Sequence, residues 1–267
     1  MKNVVITGST RGIGHGLAHE FLKRGCRVMI TGRDQEQVDA VVSRFASDFG
    51  GDQVGGSTCE VTSVTSLEGL WRNSAKKFGK IDVWINNAGI SIERAPLWKQ
   101  SARDIESIVM ANLTGMLFAN KVALAGMTEQ GFGQIWNMEG FGSGGQTAPG
   151  MAAYGATKSA VTYLIKALQK DIADTGVHVC TLSPGMVVTD LLIGDYDFSS
   201  PDWQKTKKIL NILGDKVETV TPFLVDGILA SDKPAAKVVW LTKSKAFLRF
   251  MTAGFNKRDL FEGIEGA

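Results

Sequence analysis

The sequence predicts an α/β fold built on a doubly wound parallel sheet. Three observations predict it. From residue 3 to about 190, short β-branched runs alternate with amphipathic stretches of helical length, the pattern of parallel strands joined by crossover helices. Several runs are continuously apolar, as strands covered on both faces are. A glycine-rich turn directly follows the first run, and more glycines crowd residues 140–150.

Val4-Val5-Ile6 starts a strand over 3–7, and the glycine turn leads into a helix over 13–24. Further strands are expected at 27–31, 55–59, 81–86, 133–138 and 178–183, with helices at 35–48, 65–78, 102–128 and 152–174. Asp34, with Gln37 three residues on, reads as the cap of the 35–48 helix. After 185 the alternation weakens, leaving a late strand at 237–242. No repeat or Pro/Ser-rich linker divides the chain. The reading is therefore one domain over 1–242, including a lid at about 186–214, followed by a basic and apolar tail at 243–267.

Hydrophobic residues at 44% and charged residues at 21% exclude a mainly disordered chain. Twenty-nine Lys and Arg against 27 Asp and Glu give +2, so no general basic field exists to attract nucleic acid. Small molecules are the expected partners. Cys26, Cys59 and Cys180 are odd in number and widely spaced, and His15, His19 and His178 have no metal-ligand spacing, so no metal site is assigned. The start of the chain has no leader pattern, which predicts a cytoplasmic protein or a trimmed mature chain. The apolar stretch 107–127 is interrupted by Asn112, Thr114, Asn120 and Lys121 and predicts no membrane span.

Gly8-Ser9-Thr10-Arg11-Gly12-Ile13-Gly14, between the first strand and first helix, suits backbone amides meeting a pyrophosphate. At the end of the second strand, Arg33 offers a fork to a 2′-phosphate, and Arg11 can approach from the other side, so NADPH is the expected cofactor. Tyr154 and Lys158, four residues apart on one helical face, combine a phenolic proton donor with a cation that would lower its pKa.

With those motifs, Asn86-Asn87-Ala88-Gly89, Asn112 and Ser183-Pro184-Gly185 occur in order, and the chain resembles the short-chain dehydrogenase/reductase family over about residues 3–192. The resemblance implies a Rossmann-like fold, NADPH (NADP+), and Tyr154 as proton donor. It implies that Lys158 binds the nicotinamide ribose, and that Asn112 holds a water in a proton relay. Asn87, Ala88 and Gly89 would line the cofactor, Glu60 and Val61 flank the adenine, and Pro184, Gly185, Val187 and Thr189 border the nicotinamide. A homodimer or homotetramer is also implied, with helices 102–128 and 152–174 apolar enough to pair.

One family element is missing. A serine is usual about thirteen residues before the tyrosine, but Gly140 and Phe141 stand there. Ser143 is the nearest replacement for holding the substrate oxygen, and a solvent-facing loop serine is the alternative. The stretch Asn137 to Gly145, with Ala153 to Lys158 and Leu182 to Leu192, resembles the chlorophyll b reductase branch of the family. That resemblance implies reduction of the C7 formyl group of chlorophyll(ide) b to hydroxymethyl. Another bulky apolar aldehyde or ketone, or a non-catalytic NADP(H) sensor, are the competing readings.

Gly140, Gly142, Gly144 and Gly145 would clear one wall for a broad ring. Met186, Val187, Leu191, Leu192, Ile193, Phe198 and Trp203 would form the apolar lid, or else ordinary core. In the tail, cations alternate with Phe247, Leu248, Phe250, Met251 and Phe255. A peripheral membrane contact and a helix packed on the domain are both expected from such spacing.

Overall fold

The computed structural model describes residues 1–194, 196, 198–199, 201–256 and 258–263, with the side chains of 201 and 202 left aside. Asp195, Asp197 and Ser200 of the expected lid, and Lys257 and 264–267 of the tail, lie outside the described residues.

The chain runs β1 (Asn3–Ile6), α1 (Gly12–Lys23), β2 (Arg27–Gly32), α2 (Gln35–Phe49), β3 (Val54–Thr58), α3 (Val64–Phe78), β4 (Val83–Asn86), α4 (Ala102–Val109), α5 (Gly115–Gln130) and β5 (Gly133–Met138). It continues through α6 (Ala152–Asp171), β6 (Val177–Ser183), β7 (Met186–Val188), α7 (Asp190–Ile193), α8 (Pro201–Leu213), β8 (Gly214–Lys216), α9 (Val217–Leu229), β9 (Lys237–Val239) and α10 (Lys243–Thr252). Seven parallel strands pair in the order β3-β2-β1-β4-β5-β6-β9.

The first six strands fall within two residues of their expected ends, because continuous apolar runs such as Val83-Trp84-Ile85 are buried along their whole length. Two cores result. Leu17 and Phe21 of α1, Phe45 of α2 and Leu224 of α9 cover one face. Leu67 and Leu70 of α3, Met116 and Ala123 of α5 and Val161 of α6 cover the other. The strand order reverses between β1 and β4, which places the ligand crevice at their C-terminal ends.

The single helix expected at 102–128 is instead two helices joined by a π turn at Met110–Thr114. Taken as one rod, Ala102–Gln130 is long and apolar enough by length and mean hydropathy to cross a membrane, contrary to the sequence expectation. Here it packs beside α3, and Asn120 bonds to Asn137 of β5.

Past residue 185 the sequence pattern was too thin to show what forms. β7 and β8 make a separate two-stranded parallel ribbon. α9 packs on α1 so closely that a Cβ on Gly16 would lie 2.4 Å from Val217. Of the residues expected in a lid or ordinary core, Met186, Leu192, Ile193, Phe198 and Trp203 join a third cluster, in which Trp203 meets Tyr196, Phe198 and Phe261. Val187 joins the main core, and Leu191 is exposed and joins neither.

The tail is tied to the β7/β8 ribbon by charge. Buried Asp215 accepts from Trp240 Nε1 at 2.6 Å, Arg249 at 2.7 and 3.1 Å, and Arg258 at 3.0 Å. Burial alone would raise its carboxyl, but these donors hold it below the ordinary carboxylate value. Phe247, Leu248, Phe250, Met251 and Phe255 remain exposed.

Candidate active site

The glycine loop is held from below by a closed set of hydrogen bonds. Thr31 Oγ1 accepts from Gly8 N–H at 3.1 Å, and buried Ser9 exchanges bonds with β2 through Thr31 N–H. Asn87 Nδ2 donates to the Thr7 and Gly8 carbonyls at 3.0 and 2.9 Å, while Thr7 Oγ1 accepts from the Asn87 and Ala88 amides. Gly14 must be glycine: a Cβ there would lie 2.2 Å from Gly8 O and 2.6 Å from Asn87 Nδ2.

This loop meets the requirements of a dinucleotide pyrophosphate. Arg11, the α1 cap residue, makes no side-chain cap bond, so amides in the first turn at Gly12, Ile13 and Gly14 stay available to an anion. Thr189 stands opposite, with its Cγ2 at 3.6 Å from a Cβ placed on Gly12. Thr10 packs on Gly32, next to exposed Arg33. Arg11 and Asp190 face each other loosely at 3.7 Å, both largely exposed. Asp34 caps α2 by accepting from Gln37 N–H at 2.9 Å, as its spacing predicts. Glu60 accepts from Thr62 N–H, and Val61 packs on the α3/α5 side of the sheet. Pro184 is buried, and Gly185 turns at φ +74° against Leu241.

The π turn brings Asn112 inward. Its Oδ1 accepts from Ile90 N–H at 2.8 Å and its Nδ2 donates to Ile90 O at 2.9 Å, fixing the segment after β4. A Cβ on Gly89 would lie 3.1 Å from Asn112 Oδ1 and 3.9 Å from Lys158 Nζ, so these three residues converge.

Lys158 is buried and donates to Met138 O at 3.5 Å, with Nζ 5.9 Å from the Tyr154 ring centre. Burial lowers its amine to about 8. The phenol departs from expectation: burial pushes Tyr154 up to about 12, and the opposing charge is that of Arg94. In the protein alone, desolvation outweighs any help from the lysine.

Ser143 also departs from expectation. It is buried, its hydroxyl donates to Lys158 O at 3.0 Å and accepts from Gly140 N–H at 3.1 Å. A hydroxyl has one proton to give, and this one closes the loop onto α6 instead of meeting a substrate oxygen. Gly140 occupies the place beside the phenol, where a Cβ would lie 2.7 Å from Tyr154 Oη.

Two features escaped the sequence reading. Buried Asn86, Asn120 and Asn137 form a chain linking β4, α5 and β5 beneath the crevice. Their signal was amide side chains inside apolar runs. Arg94 stacks on Tyr196, its guanidinium 4.3 Å from the ring centre, and no periodicity marks it.

The short chain dehydrogenase family model matches residues 2–197. The chain belongs to the short-chain dehydrogenases. It is an NAD(P)H-dependent oxidoreductase, which removes the non-catalytic reading. It is 38% identical over 262 residues to chlorophyll(ide) b reductase NOL of Arabidopsis thaliana, covering 94% of this chain and 73% of that one. It is 34% identical over 277 residues to the probable chlorophyll(ide) b reductase NYC1 of the same plant, covering 98% and 55%. Among solved structures, ElxO with NADP bound superposes with a TM-score of 0.76 at 29% identity, covering 89% of this chain and 97% of that one. Within the short-chain dehydrogenases this chain is thus similar to the chlorophyll(ide) b reductases.

Proposed function

We propose that this protein uses NADPH to reduce the C7 formyl group of a chlorophyll b-type pigment to hydroxymethyl. The observation that carries the reading is the 38% and 34% identity to the two plant reductases over most of this chain; Gly140, packed against Tyr154 Oη and Lys158 where a serine is usual, leaves the substrate oxygen without a hydroxyl from that position. The similarity to the two plant reductases supports the same substrate.

NADPH would rest on Gly8, Ser9, Thr10, Gly12, Ile13 and Gly14, with Arg11 and Arg33 toward its 2′-phosphate. Glu60 and Val61 would flank the adenine, Asn87, Ala88 and Gly89 would line the cleft, Lys158 would hold the ribose, and Pro184, Gly185, Val187 and Thr189 would border the nicotinamide. When bound, it supplies the hydride. Tyr154, protonated at neutral pH as any tyrosine is and held more firmly so by burial, gives its proton to the carbonyl oxygen. The Lys158 cation opposes the phenolate charge left behind. Asn112 holds Ile90 in place and keeps the relay side of the cleft shaped. The lid around Trp203 keeps water from the reacting carbonyl.

Incubation with chlorophyllide b and NADPH, with an NADH arm, is expected to yield the hydroxymethyl pigment by chromatography and a clear NADPH preference in kcat/KM. Turnover of other apolar aldehydes with the pigment untouched would move the assignment to a general carbonyl reductase. Exposed Val109, Met110 and Leu117 on the 102–130 rod and Tyr163 on α6 support a homodimer or homotetramer, to be read by light scattering. The exposed apolar side chains of α10 support peripheral lipid contact. Liposome flotation of wild type beside a Phe247→Ser, Met251→Ser variant tests that contact.

A further inference from the structure

Arg94 lies between β4 and α4, away from the phosphate cradle, which has its own cations at Arg11 and Arg33. Its backbone packs on Gly150, where an added Cβ would lie 3.1 Å from the Arg94 carbonyl carbon, four residues before Tyr154. Its guanidinium is roofed by Tyr196 of the lid at 4.3 Å, and its charge is felt at the Tyr154 phenol. Arg94 thus sits on the substrate side of the proton donor.

That guanidinium is incompletely satisfied. Nε is buried without a hydrogen-bond partner, and among the described residues no Asp or Glu pairs with it. Nε is closed off from solvent, so the two outer Nη groups form the fork that a ligand can reach. The ring of Tyr196 offsets part of the charge but accepts none of the N–H bonds in the guanidinium plane. A carboxylate matches that fork with two parallel bonds, and an ester cannot match it with a charge.

We propose that Arg94 is the carboxylate anchor of the substrate, so that the site prefers the free acid of the pigment to its ester. The proposal rests on the reading of the pigment as substrate. Chlorophyllide carries a free propionate where chlorophyll carries a long-chain ester, so Arg94 decides which of the two is taken. Docking the carboxylate under Tyr196 also joins the ring system to the lid, on the side opposite the cofactor phosphates.

The test measures Kd by pigment fluorescence, together with kcat and KM, for chlorophyllide b and its methyl ester. Wild type is compared with Arg94→Gln and Arg94→Lys. Wild type is expected to bind the acid at least tenfold more tightly than the ester. Arg94→Gln is expected to erase that ratio while leaving ester KM and NADPH affinity within about threefold, and Arg94→Lys to restore part of it. A variant that weakens acid and ester equally, or changes only kcat and its pH profile, overturns the anchor and leaves pigment reduction standing. Binding without turnover removes the pigment reaction but still judges the anchor by the same ratio. Binding of neither pigment overturns both.

Discussion

Around the glycine loop, Thr7, Ser9, Thr31 and Asn87 commit their hydrogen bonds to one another and to the loop carbonyls. Across the crevice the construction is different: Gly140 has no side chain to offer, Ser143 is turned inward, and Arg94 keeps a buried donor unpaired. One wall is fixed by its own hydrogen bonds; on the other the phenol and the lysine stem close directly onto a residue without a side chain. The contrast teaches that a shared fold can hold its cofactor wall rigid while the loss of a single Cβ changes which groups meet on the wall opposite.

The largest expected effect breaks the chemistry without touching the preformed wall. Tyr154→Phe should lower kcat by about 10²–10⁴, the range for loss of a general acid, while NADPH affinity by fluorescence titration stays near wild type. Retained pigment turnover would show that another group supplies the proton.

Gly140→Ser sharpens the comparison, because it installs the usual family hydroxyl where the phenol and the lysine stem now pack. Its Cβ would crowd Tyr154 Oη at 2.7 Å, so the phenol must shift; if misplacement of the proton donor costs about 1–3 kcal/mol in the transition state, kcat/KM falls roughly fivefold to 160-fold. A gain in activity would show that the phenol keeps its place beside the added side chain.

A smaller effect follows from pH. Lys158 has its amine at about 8, so the cation is present below that value and lost above it. Reduction is expected to fall as pH rises through about 8, approaching tenfold per unit beyond it, while Tyr154 at about 12 stays protonated. A kcat/KM profile flat to pH 10 would separate Lys158 from the phenolate charge.

The smallest change is expected at Ser143. Ser143→Ala should leave kcat/KM within about threefold, because the hydroxyl already bonds inside the loop, and should cost about 1 kcal/mol of stability. The melting temperature reads the second effect, with an expected loss of roughly 2–4 °C. A large kinetic loss with unchanged melting would return Ser143 to the substrate.

The sheet was legible because its central strands carry continuous apolar runs, as Val83 to Ile85 and Val4 to Ile6 illustrate. The glycine loop was legible from spacing, and the Asp34 cap from its partner at Gln37. β7 and β8, three residues each, were not, since so short a segment carries no period. The π turn escaped notice because the apolar side chains around Met110–Thr114 continue the pattern of an unbroken helix.

By itself the sequence determined the order of strands and helices up to about residue 183, the family, and which residue types gather at the C-terminal edge of the sheet, because burial and chain chirality act on local pattern. Only the tertiary structure decided the direction of Ser143, the closeness of Gly140 to Tyr154, the upward displacement of the phenol, and the place of Arg94 beneath Tyr196. Each of those depends on groups distant in the chain meeting across a desolvated cleft, and no local period records such a meeting.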